Sequence, residues 1–207
     1  MRSKEDRIAA AFALALCLLA GWAALRPFAE ACGEVRANTL RLHIVAASDS
    51  AEDQRRKLLV RDAILEEYGP ALAAGDSIGD ALAVTGRLTG SIEESARHIL
   101  QENGSTDPVR AEVVEMYFDT IAYENGVQMP AGRYKALRLV IGAGEGRNWW
   151  CVMYPPLCLP AASPDRGTDA ARIAALNGEE GLVPKLAAVE LVERVKDRLG
   201  AAKNGLP

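Results

Sequence analysis

Eighteen consecutive residues without a charge, Ile8 to Leu25, constrain this chain more than any other stretch. Arg2, Lys4 and Arg7 precede the run, and Arg26-Pro27 closes it. The length lies between a long signal-peptide core and a short membrane helix. An ordinary buried helix is the bland alternative, but basic residues gathered ahead of such a run are the mark of an exported or anchored chain. Ala29-Glu30-Ala31 has the small-x-small form of a signal-peptidase site. Cys32 directly after it raises a lipoprotein site, for which Glu30 is a poor neighbour. Residues 1–31 are therefore read as a signal peptide or membrane anchor, and the rest of the chain is expected to fold outside the membrane.

That compartment governs the cysteines. Of the four, Cys17 lies in the leader and Cys32 at the possible cut, which leaves Cys151 and Cys158. An even number in an exported domain favours a disulfide, and a loop this short would add about 2–3 kcal/mol in the chain-entropy account. Two reduced thiols, or one catalytic thiol, are the competing readings. Beyond residue 31 the net charge is −5, with no block of Lys and Arg. This excludes a nucleic-acid footprint and any charge-driven attraction to an anionic membrane surface, so the membrane is met only through the N-terminal segment.

The chain beyond the leader reads as α+β, a single domain over 32–160. It has a mixed or antiparallel sheet of about four strands and two to three packed helices. Leu40 to Ala46 alternates as a strand, with Arg41, His43 and Val45 forming a polar second face. Ser48-Asp49-Ser50 stops it and caps a helix from about Ala51, expected to end at Gly69-Pro70. A second helix spans Ser77 to Glu102, with Gly86 and Gly90 marking a break or a close backbone approach. Val109 to Phe118 and Tyr134 to Ile141 are strands, the latter central. Trp149 to Met153 is a fourth strand, hairpinned to it across Gly142-Ala143-Gly144-Glu145-Gly146. Pro160 to Gly181 reads as a linker, and a terminal helix runs from Pro184 to about Leu199, so 161–207 is linker plus helix.

The chemistry-bearing candidates are few. The glycine run is spaced G-x-G-x-G and precedes a strand, so it is a turn and not a dinucleotide loop. His43 and His98 stand far apart, and neither Cys-x-x-Cys nor His-x-x-x-His occurs, so no metal site and no cofactor is expected. One enzyme reading has Cys151 or Cys158 acting with His43 as base and Asp49 or Asp119 as orienter, an exported cysteine-dependent or cell-wall hydrolase. A carboxylate pair drawn from Asp49, Asp53, Asp62 and Glu66 is the other. Against both stands recognition. Asn148, Trp149 and Trp150 beside a Pro-Pro turn have the make-up of an interface anchor, with one indole turned inward and the other outward.

Two stretches carry a family resemblance. One is Leu40-Arg41-Leu42-His43-Ile44-Val45-Ala46-Ala47-Ser48-Asp49-Ser50 with Asp53-Gln54 and Lys57-Leu58-Leu59-Val60-Arg61-Asp62. The other runs from Tyr134 through Asn148-Trp149-Trp150-Cys151-Val152-Met153-Tyr154-Pro155-Pro156-Leu157-Cys158. Together they resemble the stage II sporulation protein R family over roughly residues 38–160, with Ala47 where the family has Asn. The resemblance implies an intercellular signal, not an enzyme. Such a signal is exported across the forespore membrane into the intermembrane space. There it activates a membrane-embedded aspartic protease that processes the precursor of the mother-cell sigma factor E. Partner-binding residues are then expected on two surfaces. One holds Arg41, His43, Asp49, Asp53, Lys57 and Arg61; the other holds Asn148, Trp149, Trp150 and the Cys151–Cys158 loop.

Overall fold

A computed structural model describes residues 4–123, 126–156 and 167–203. The order is α1 (Lys4–Ala37), β1 (Leu40–Val45), α2 (Ala51–Ala73), α3 (Ile78–Glu102), β2 (Val109–Phe118), β3 (Ile121–Ala122), β4 (Gln128–Met129), β5 (Gly132–Ile141), β6 (Asn148–Tyr154), α4 (Gly167–Asn177) and α5 (Leu182–Lys203). Four strands form one mixed sheet in the order β2-β5-β1-β6, and β3 pairs with β4 in a small separate ladder. Helices cover both faces of the sheet.

The register explains the two faces. β1 runs parallel to β5, with Leu42 opposite Leu137 and Ile44 opposite Leu139. It runs antiparallel to β6, with Leu42 opposite Cys151 and Ile44 opposite Trp149. Side chains alternate along strands, so these residues share one face. Leu42, Ile44, Leu137, Leu139 and Cys151 form a core with Val60, Ile64 and Leu72 of α2 and Ile92 and Leu100 of α3, all fully or almost fully buried, and the partly buried Trp149 packs against it. The second face carries Tyr134, Ala136 and Val152, packed against Phe28, Cys32 and Val35 of α1, Ile173 and Leu176 of α4, and Leu186 and Val189 of α5.

Several expectations are corrected. β5 and β6 are not a hairpin, because β1 lies between them. The glycine run instead carries the chain around the end of β1. Gly146 N–H donates to Ala46 O at 3.0 Å and Glu145 N–H to Ala47 O at 3.2 Å. A Cβ on Gly146 would sit 2.2 Å from Ser48 O, so the close crossing requires glycine. The polar second face of β1 is no edge, since all six of its residues are buried. α2 passes Gly69-Pro70 and ends at Ala73. Leu72, just beyond the proline, is buried in the first core, and that packing outweighs the bond lost at proline. α3 is unbroken, and a Cβ at Gly86 or Gly90 would meet open space, so neither reading of those glycines holds. The segment read as a linker contains α4, an eleven-residue helix whose Ile173 and Leu176 are core residues. Tyr154 Oη donates to Asp169 at its start, at 3.0 Å. Nor does α1 stop with the apolar run at Pro27; it continues to Ala37.

Candidate functional site

The two stretches that sequence places apart meet at one corner of the sheet. Ser50 caps α2, its Oγ accepting from Asp53 N–H at 3.1 Å. The cap sets the first turns of α2 beside the segment 147–149 that enters β6. Asp49 Oδ1 accepts from Arg147 N–H at 2.8 Å. Lys57 Nζ donates to Arg147 O at 2.9 Å and to Gln54 Oε1 at 2.7 Å. Arg61 lays its guanidinium 5.1 Å from the centre of the Trp149 ring. A helix start and a loop are thus tied by charged groups bonding to backbone.

Burial divides the expected contact residues. Asp49 and Asn148 are exposed, Trp150 is 36% exposed, and Asp53, Arg61 and Trp149 are half-buried. Arg41 is 0% exposed, and His43 and Lys57 are buried. These three shape the corner from within and present nothing to another molecule's surface in this conformation. Asp53 accepts from Ser48 Oγ at 2.5 Å. That bond, with those from Ser50 and Arg56, holds its carboxyl below the usual range. Burial lowers the Lys57 ammonium, partly countered by Asp49.

Beneath the exposed indole lies a cationic-aromatic stack. Trp150 and His43 are direct cross-strand neighbours, and their rings stack at 6.2 Å. Phe118 meets His43 edge-on at 6.1 Å and Tyr134 at 5.6 Å. The Arg41 guanidinium sits 4.1 Å from the Phe118 centroid and 4.9 Å from that of Tyr134, and donates to Tyr123 Oη at 2.8 Å. Two aromatic faces stand in for water around this charge. Arg41 Nε and Nη1, His43 Nδ1 and Arg138 Nε have no hydrogen-bond partner among the described residues. His43 Nε2 lies 2.8 Å from Asn148 Oδ1. Burial lowers the imidazole pKa, the Asn148 hydrogen bond opposes that shift, and Arg138 and Arg41 add to the lowering. Sequence reading missed Phe118, Tyr123 and Tyr134 in this stack. The available signal was Arg41 itself, a cation set between Leu40 and Leu42 in an apolar strand.

The geometry also bears on thiol chemistry. Cys151 lies on the first sheet face opposite Leu42, whereas His43 lies on the second. The sheet separates sulfur from imidazole. Asp119 is held by Arg194 at 3.0 Å. Cys158 lies outside the described residues. The free cysteines among the described residues are Cys17 and Cys32, and burial pushes the Cys32 thiol up to about 11. Among the described residues no group of three or more His, Cys, Asp or Glu is placed to hold a metal ion.

A mixed sheet between two helical layers, with a braced aromatic corner and an apolar leading helix, defines a single-domain α+β module. Comparison with known proteins is more specific. The profile described as stage II sporulation protein R matches residues 36–163, more than half of the chain. The chain belongs to the stage II sporulation protein R family. It is 36% identical over 119 residues to the stage II sporulation protein R of Bacillus subtilis (strain 168), covering 58% of this chain and 53% of that protein. The chain therefore spans about half the length of this curated relative. No solved structure matches. Family membership supports a role in sporulation.

Proposed function

We propose that this protein is an exported signal that activates a membrane-embedded sporulation aspartic protease, leading to processing of the mother-cell sigma factor E precursor. In this reading it acts after crossing the forespore membrane, in the intermembrane space, by binding and not by catalysis. The supporting observation is the junction of the two sequence stretches at one corner. There Asp49, Arg61, Asn148, Trp149 and Trp150 are reachable on a braced scaffold, with Arg41, His43, Asp53 and Lys57 supporting them from behind. Two adjacent indoles, one beneath the Arg61 guanidinium and one partly exposed, have the composition of an interface hot spot. Residues 32–160 would be the signalling domain, 161–207 its C-terminal extension, and a Cys151–Cys158 disulfide would pin the chain after β6.

Binding can switch the protease only through differential affinity for its active form, and a near-complete switch needs about 5.5 kcal/mol. The test is co-expression with the protease and the sigma-factor precursor. Full processing is expected with the native chain. Asp49→Ala, Arg61→Ala and Trp150→Ala together should abolish it while the circular dichroism spectrum and export are retained. Undiminished processing by a folded, exported triple variant would remove the binding corner from consideration. Of the hydrolase alternative, the pairing of Cys151 with His43 lacks geometric support, because the two lie on opposite sheet faces.

A further inference from the structure

α1 is one helix with two environments. From Ile8 to Ala24 every described side chain is exposed, including Phe12 at 68% and Leu18 at 66%. The apolar surface runs all round the helix, without a polar stripe for a surface helix to turn outward. Eighteen residues of helix reach about 27 Å, close to the roughly 30 Å hydrocarbon core of a bilayer. Trp22 stands near the end of this span, followed by Arg26 and Glu30, which pair at 2.8 Å. Aromatic and charged residues in this order mark a membrane–water boundary.

The same helix then enters the protein. Phe28, Cys32 and Val35, spaced for one face, are buried against β5, α4 and α5. Lys185 caps the Phe28 ring at 5.5 Å. Glu34 pairs with Arg172 of α4 at 3.3 Å, and Arg36 with Glu193 of α5 at 3.6 Å. Arg36 also donates to Ala131 O at 3.1 Å, and its side chain packs where a Cβ on Gly132 would stand. A cut after Ala31 would fall inside this packed helix and remove Phe28 from the core. Cys32 is 0% exposed, so its sulfur has no room to carry a lipid.

We infer that α1 is a retained transmembrane anchor, partnered by the bilayer over Ile8–Leu25, whose continuation from Phe28 is an integral part of the folded domain. The signal is then held at the membrane surface, with no flexible linker between span and core. This goes beyond the protease reading and does not depend on it.

The test uses the full chain with a C-terminal tag, exported by a Gram-positive host. Intact mass and N-terminal sequencing should find Ile8–Leu25 still attached, and the protein should stay with membranes through an alkaline carbonate wash. A mature N-terminus beyond Leu25, or release by carbonate, would overturn the anchor. In vitro, the purified chain should float with phosphatidylethanolamine–phosphatidylglycerol vesicles. Leu14→Arg with Leu18→Arg should abolish flotation and leave the thermal midpoint unchanged; flotation as strong as the native chain's would count against the span. Phe28→Ala should leave flotation intact and lower the thermal midpoint by about 5 °C or more. An unchanged midpoint would refute the shared core.

Discussion

The two faces of the sheet are built by different rules. The first is packed by α2 and α3, consecutive in the chain and following β1 directly, and its core is mainly apolar, with Lys57 and Thr85 the buried polar side chains of those two helices. The second is packed by α1, α4 and α5, drawn from opposite ends of the chain, and it encloses Arg41 and His43 as well as apolar residues. The difference teaches where conformational uniqueness comes from. Apolar packing is non-directional and tolerates small shifts, whereas a buried guanidinium held between Phe118 and Tyr134 and bonded to Tyr123 fits only one arrangement.

The sharpest way to break the comparison is at the first face. Leu139→Ala, at a fully buried position, should cost about 3–4 kcal/mol in chemical denaturation, with part of that cost arising from the cavity. A loss below about 1 kcal/mol would mean the first core collapses freely. The adjacent indoles offer an internal control, because they point to opposite faces. Trp149→Ala should cost about 3 kcal/mol, and Trp150→Ala, already partly in water, about 1–2 kcal/mol. Equal costs would erase the distinction between an inward and an outward ring.

At the second face, Arg41→Ala should cost about 2 kcal/mol through lost packing of its stem and guanidinium. Arg41→Met, which keeps the length and removes unpartnered buried donors, should change stability by less than about 1 kcal/mol or raise it. A large loss with Met would show that the charge itself holds the face together.

The smallest effect is a pH dependence. The folded His43 pKa is lowered below its ordinary value, so the unfolded chain binds the proton more readily. Stability from the neutral ring is fully present above about pH 6.5 and is lost as the pH falls from there through the folded value. His43→Gln should flatten that part of the stability curve; an unaltered slope would place the titration elsewhere.

Much of this was legible from local pattern. The strands at Leu40, Val109 and Tyr134 lie where alternation puts them, and Ser50 caps α2 as its side-chain chemistry dictates. The contact corner was legible as two patches but not as one place. Nothing in the spacing of Asp49, Lys57 and Arg147 says that a carboxylate and an ammonium will grip the same backbone segment. Arg41 and His43 looked like a polar edge because alternation reports two faces without saying how many are covered.

The amino-acid sequence by itself determined the α+β class, the apolar leading segment, the cap and turn chemistry and the family, because these depend on residues near one another in the chain. Only the tertiary structure decided that β6 pairs with β1 instead of β5, that both sheet faces are buried and that α1 runs unbroken from its apolar span into the core. Those outcomes depend on which distant surfaces exclude water together, and hydrophobic burial depends on area and not on sequence separation.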